Sequence, residues 1–190
     1  MISVRSQQSV IAHTYICVYY SPTNQELELE EFIMAINVGD PAPAFTLYDT
    51  DKNQISLSDF QGGNVVLSFF PGAFTGVCTT MACTLNDSAN DFNSLNAKVL
   101  AVSVDPIFSQ QVWKDQNSIG YTVLSDFNRE AVKSYGVLWE NLAGLEGYNT
   151  ANRAVFIVDS KGTIAYAWIA ANPGVEPDYD EIKSILATLK

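Results

Sequence analysis

From Met34 onward, apolar runs and alternations divide the chain into short elements separated by polar turns. Ala44-Phe45-Thr46-Leu47-Tyr48 alternates with period two and predicts a strand, closed by a turn over Asp49 to Asn53. Ile55 to Leu57 resumes a strand. Ser58 and Asp59 are placed to cap a helical turn, and Gln61-Gly62-Gly63-Asn64 is a further turn. Val65 to Phe70 is a mostly apolar run of strand length, the pattern of a central strand covered on both faces. After Pro71-Gly72 the spacing predicts a helix from Thr75 through Phe92, with Leu85, Ala89 and Phe92 at helical intervals. Val99 to Val104 reads as a second buried strand, and Ser109 to Asn117 as a helix carrying Val112 and Trp113.

Val123-Leu124 is a short strand, followed by a helix that Asp126 or Asn128 can cap and that Gly136 ends after Tyr135. Ala154 to Val158 is a third buried strand. The turn Asp159-Ser160-Lys161-Gly162 leads into Thr163 to Trp168, so these two strands are expected to be antiparallel. Asp178 to Leu189 reads as a terminal helix with Ile182, Ile185, Leu186 and Leu189 on one face. Strands alternating with helices, with a hairpin near the end, define an α/β chain with a mixed sheet and helices on both faces.

Residues 1–34 read differently. A short mixed run from Val10 to Tyr20 is followed by the turn Ser21 to Asn24 and an acidic stretch with Glu26, Glu28, Glu30 and Glu31. The run is too short and too polar to span a bilayer, and it lacks the basic start and cleavage site of a signal peptide. Residues 1–34 are therefore taken as an N-terminal extension, expected to be dispensable, and 35–190 as the domain. Composition narrows the function. Of the 190 residues, 47% are hydrophobic and 16% charged, as in a globular protein, and the net charge of −11 excludes a broad electrostatic grip on nucleic acid or an anionic membrane.

The chemistry centres on sulfur. Cys17, Cys78 and Cys83 are too few for a disulfide scaffold, which points to reduced thiols and a cytoplasmic setting. The only histidine, His13, lies far from Cys78 in sequence. Residues 35–190 therefore cannot assemble a four-ligand zinc site from cysteine and histidine, and no metal or other cofactor is expected. A reactive Cys78 needs something other than imidazole to stabilise its thiolate. A helix beginning near Cys78 supplies part of that, because unpaired N–H groups and the helix dipole favour a negative charge. Such settings bring cysteine pKa values from about 8.5 to roughly 3.5–7.5. Thr75 adds a hydroxyl, and Pro71 shapes the turn. The plainer alternative is that Cys78 is a small core residue.

The segment Pro71-x-x-x-Thr75-x-x-Cys78, preceded by an apolar strand, resembles the peroxiredoxin active-site signature. The resemblance extends to Val38-Gly39-Asp40-x-Ala42-Pro43-x-Phe45-x-Leu47, Val102-x-Val104-Asp105, Leu124-x-Asp126, Tyr135-Gly136-Val137 and Arg153-x-x-Phe156-Ile157-Val158-Asp159, covering roughly 36–190. It implies a thioredoxin-like fold and a thiol-dependent peroxidase that reduces hydrogen peroxide or alkyl hydroperoxides through a cysteine sulfenic acid, in antioxidant defence. Cys78 would be the nucleophile. The family also uses an arginine beside the sulfur. Between residues 35 and 190 only Arg129 and Arg153 exist; Arg129 sits on a predicted surface helix, so Arg153 matches the role. Phe45, Phe70 and Phe74 are candidates for an apolar collar around the substrate. The resemblance also implies a thiol reductant such as thioredoxin or glutaredoxin and a homodimer.

Cys83 follows Cys78 by five residues, the spacing of the resolving cysteine in the bacterioferritin-comigratory-protein (Q-type) members. In an intact helix such positions are about 7.5 Å apart along the axis, and their Cα atoms roughly 8–9 Å apart. A disulfide needs them within about 7 Å, so the bond requires the first turns to unwind. The alternative is an inert Cys83 and an external thiol that reduces Cys78 directly, as in one-cysteine members. Cys17 is a third candidate thiol. Two departures stand out. Met81 replaces the acidic or amide residue usual three positions after the nucleophile. The Gly-Gly-Leu-Gly loop and C-terminal Tyr-Phe tied to overoxidation are absent, which predicts resistance to sulfinic acid formation. Competing readings are a peroxide sensor relaying oxidation to a partner, and a thiol-disulfide oxidoreductase, which would need Cys-x-x-Cys.

Overall fold

The computed structural model describes residues 36–189. The extension over 1–34, with Cys17, lies outside the described residues. Among the described residues nine strands form: β1 (Thr46–Asp49), β2 (Gln54–Ser56), β3 (Asn64–Phe69), β4 (Ala97–Ser103), β5 (Thr122–Ser125), β6 (Leu138–Trp139), β7 (Thr150–Ala151), β8 (Ala154–Val158) and β9 (Ile164–Ile169). Five α-helices accompany them: α1 (Gly76–Asp87), α2 (Ala89–Ser94), α3 (Ile107–Gln116), α4 (Glu130–Ser134) and α5 (Tyr179–Thr188). Seven strands make one mixed sheet in the order β2-β1-β5-β4-β3-β8-β9, and β6 pairs with β7 in a small antiparallel ribbon. At the centre β5, β4 and β3 run parallel, while β8 lies antiparallel to both β3 and β9.

Strand parity divides the core. Val65, Leu67 and Phe69 of β3 join Leu100, Val102, Ala154, Phe156 and the α4 residues Ala131 and Val132 on one face. On the other face Val66, Val155 and Ile157 pack with Met81 and Leu85 of α1, Phe92 of α2, and Ile182 and Leu186 of α5. A third cluster on that side joins Phe70, Cys78 and Ala82 to Trp113 of α3. Both sheet faces are therefore covered, and β3 and β8 are buried at every position, as their apolar runs require.

Local chemistry moved several boundaries. The helix expected over Thr75–Phe92 breaks at Ser88 into α1 and α2, within the weakly helical run Asn86-Asp87-Ser88. The cap near Leu57 is Ser56, whose backbone N–H donates to Asp59 at 2.8 Å in a capping box; Ser58 lies inside the turn. Asp126 caps α4 through the N–H groups of Glu130 (2.9 Å) and Val132 (2.7 Å). Asp178 caps α5. Among the described residues no helix is long and apolar enough to cross a membrane.

Candidate active site

β3 delivers the chain to the site. Beyond Phe69 come Phe70, Pro71 and Gly72, all buried, and then the turn that opens α1. Phe74 takes a left-handed φ of 65°, uncommon for a residue with a side chain, and its ring is 55% exposed. The turn is tied down at three points. Thr150 of β7 donates its hydroxyl to the Pro71 carbonyl. The Ala73 N–H donates to Asp105 Oδ2 at 2.8 Å. The Thr75 hydroxyl donates to the Gly72 carbonyl at 3.0 Å. Asp105 is held in turn by the Ser103 hydroxyl at 2.7 Å, and Ser103 by the Gln110 amide at 2.9 Å.

Because its hydroxyl points to Gly72, Thr75 is the N-cap residue of α1 without a side-chain capping bond, and the first turn holds no acidic residue. The N–H groups of Gly76, Val77 and Cys78 have no partner in the helix and face the region where a negative charge would sit. Cys78 lies in this first turn, 2% exposed, with a free thiol.

Arg153 reaches the same point from the neighbouring strand, just before β8. The β3–β8 register places Ala154 opposite Phe69, so the residue before β8 falls at the end of β3. Parity turns Arg153 to the face of Val155 and Ile157, the face that α1 covers. Its NH2 donates to Cys78 Sγ at 3.3 Å and to the Pro173 carbonyl at 3.0 Å. Nε also reaches Pro173 at 3.1 Å, and NH1 meets Met81 Sδ at 3.0 Å. The guanidinium is 1% exposed, and among the described residues no carboxylate lies within 4 Å of it. A buried charge is costly unless paired. Among the described hydrogen-bond partners of Arg153, the group that can become an anion is the Cys78 sulfur, so arginine and thiolate complement each other.

Cys78 and Arg153 thus meet directly, with Thr75 at the cap of the helix that carries Cys78 and Pro71 in the turn that leads into it. Phe70 is in the Cys78 cluster, stacked on Trp113 at 5.1 Å between ring centroids. Phe74 borders the helix entrance. Phe45 does not belong with them: it is buried on the opposite face of the sheet, 6.4 Å from the Tyr135 ring, which corrects its assignment to the collar. Arg129 is also not a freely solvated side chain; it takes a left-handed φ of 62° and donates to the Asn149 and Phe127 carbonyls. Met81, in the position usually polar, supplies a thioether to Arg153. Cys83 is half-buried and free on the same unbroken helix. Asp105 and Thr150 were not singled out as site residues, although Asp105 belongs to one of the resembling blocks.

A buried thiol at a helix N-terminus, at the end of a central strand and against a buried guanidinium with no carboxylate partner among the described residues, is a site for nucleophilic sulfur chemistry. The AhpC/TSA family model matches residues 38–167. Peroxiredoxin Bcp of Escherichia coli is 32% identical over 133 residues, 70% of this chain and 85% of that protein. Alkyl hydroperoxide reductase E of Mycobacterium bovis is 38% identical over 135 residues, 70% and 84%. Among solved structures, a peroxiredoxin-like protein from Aquifex aeolicus superposes with a TM-score of 0.74 at 29% identity, covering 83% of this chain and 90% of that one. Reduced Plasmodium vivax 2-Cys peroxiredoxin gives 0.70 at 27%, covering 78% and 79%. The chain belongs to the AhpC/TSA family. It has the thioredoxin-like fold of the peroxiredoxins and is a thiol-dependent peroxidase.

Proposed function

We propose that Cys78 is the peroxidatic nucleophile and that Thr75 and Arg153 are its partners in reducing hydrogen peroxide and organic hydroperoxides. The observation that carries this reading is the buried Arg153 guanidinium, 3.3 Å from Cys78 Sγ with no carboxylate to neutralise it among the described residues. The thiolate sulfur attacks one peroxide oxygen. The S–O bond forms as the O–O bond breaks, and the leaving oxygen takes a proton to depart as water or alcohol. Cysteine is left as sulfenic acid. Charge builds on the departing oxygen, where Arg153 and the N–H groups of the first turn can stabilise it, while the Thr75 hydroxyl, whose proton goes to Gly72, can accept from the peroxide O–H.

Cys83 is the resolving thiol in this reading. It attacks the sulfenic sulfur, the S–S bond forms, the S–O bond breaks, and the oxygen leaves as water with the thiol proton. A thioredoxin- or glutaredoxin-type dithiol then restores both thiols by exchange. The alternative of a peroxide sensor differs in outcome: it would oxidise once and hold a partner adduct. Steady-state turnover with a dithiol reductant separates the two. Many turnovers per chain, abolished in Cys78→Ser, are expected; a single turnover ending in a stable protein adduct would overturn the peroxidase reading.

A further inference from the structure

The segment Gly76 to Cys83 is a poor helix by composition. It opens on glycine without a cap, and Val77, Cys78, Thr79 and Thr80 rank low in helix propensity. Thr80 and Thr84 bond back to the Gly76 and Thr80 carbonyls at 3.2 and 3.0 Å, an arrangement that tends to bend helices. Tertiary contacts must hold it. Beyond burial of Cys78, Met81 and Ala82 and the Arg153 contacts with Cys78 and Met81, hydrogen bonds from Trp113 and Tyr121 fall between the cysteines. The Trp113 indole N–H donates to the Thr79 hydroxyl at 3.0 Å, and the Tyr121 hydroxyl donates to the Ala82 carbonyl at 3.2 Å. A third, from the Gly120 N–H to Asn86 Oδ1 at 2.7 Å, lies beyond Cys83 and pins the helix where it need not move.

Resting on the resolving role of Cys83, the geometry points to Trp113 and Tyr121 as positioning residues whose bonds to Thr79 and Ala82 latch the helix and set the rate at which the Cys78–Cys83 disulfide closes. Cys78 cannot reach Cys83 while the intervening turns are intact, so both bonds break before the sulfurs meet. Burial pushes the Tyr121 hydroxyl up, with Cys83 and Tyr179 adding to the effect, so it stays protonated and remains a donor. Oxidation loosens the third hold on this stretch. Thiolate and guanidinium attract as ions, whereas a neutral sulfenic acid keeps only hydrogen bonding to Arg153. The peroxide reaction thereby weakens the contact at Cys78, and the two latch bonds remain as polar ties between the cysteines together with the Arg153–Met81 contact. Loss of one such bond changes an opening equilibrium by about fivefold.

The test mixes the reduced full chain with one equivalent of hydrogen peroxide. Quenched samples are followed by intact mass, and hydrogen exchange is recorded on the reduced protein. In Thr79→Val and in Tyr121→Phe the disulfide, seen as loss of two hydrogens, is expected to close about fivefold faster. Amides of residues 79–83 should exchange faster, with the rate of the first oxidation unchanged. Thr79→Ser, which keeps the acceptor, should restore the parent closure rate. Unchanged closure and unchanged exchange in both variants would overturn the latch while leaving Cys83 as the resolving thiol. A parent protein that gains one oxygen and never loses two hydrogens would overturn the resolving role and the latch together.

Discussion

At the scale of single residues, the site depends on one charge pair. Arg153 is buried against Cys78, Met81 and the Pro173 carbonyl, and its planar fork lets one guanidinium serve two sulfurs and a carbonyl at once. Arg153→Ala should slow peroxide reduction by about 10²–10³-fold, the usual loss for a transition-state donor, read as the rate of the first oxidation. Arg153→Lys should recover little, because a point charge cannot reproduce the fork. An unchanged rate in Arg153→Ala would remove this residue from the site. Arg153 was legible because only two arginines occur after residue 34 and one directly precedes a buried strand. Phe45 was misassigned for a physical reason. Alternation over residues 44–48 marks Phe45 and Leu47 as the buried side but cannot say which face of the sheet that is, and both pack on the face opposite α1.

At the scale of elements, the turn over residues 71–75 is positioned by neighbours far away in sequence. Asp105 takes the Ala73 N–H and the Ser103 hydroxyl, and Gln110 extends the chain of bonds to α3. Asp105→Ala leaves these donors without a partner and should cost about 1–3 kcal/mol of stability, measured by denaturant unfolding, together with a slower first oxidation. Unfolding and oxidation both at parent values would contradict the anchoring role. α4 supplies a pH-dependent contribution. Burial raises Asp126 above the ordinary carboxylate range, against the opposing pull of the Val132, Ala131 and Glu130 N–H groups. A carboxyl raised on folding favours the protonated form, so its contribution is fullest below the unfolded value and is lost as pH rises through the folded one. The stability of the parent relative to Asp126→Asn should therefore improve as pH falls from neutral into the carboxylate range; a difference that worsens on acidification would contradict this. The helix expected as one piece to Phe92 shows why such anchors were not visible in the sequence. Leu85, Ala89 and Phe92 keep helical spacing across the break at Ser88, and apolar periodicity carries no information on polar ties.

At the scale of the whole molecule, the order of strands explains the site. β3 runs parallel to β4, so their carboxyl ends open on the same edge, and antiparallel β8 begins at that edge. Residues 75 and 78, from one end of the domain sequence, therefore meet residue 153 from the other. The three buried strands and the β8–β9 hairpin were readable from apolar runs and turn residues. The β6–β7 ribbon was not, being two residues long on each side, yet its Thr150 holds the Pro71 carbonyl. Residues 1–33 are expected to be dispensable: deleting them should leave folding and peroxidase activity intact, checked by thermal unfolding and turnover; loss of either would give the extension a structural role.

The central claim, that Cys78 is a peroxidatic thiolate, is tested most directly by the intact mass of the fully reduced chain after brief exposure to one equivalent of hydrogen peroxide. Loss of two hydrogens, abolished in both Cys78→Ser and Cys83→Ser, is the predicted result. In Cys83→Ser a gain of one oxygen should remain on Cys78. No rapid change in mass, or a change that survives in Cys78→Ser, would contradict the account.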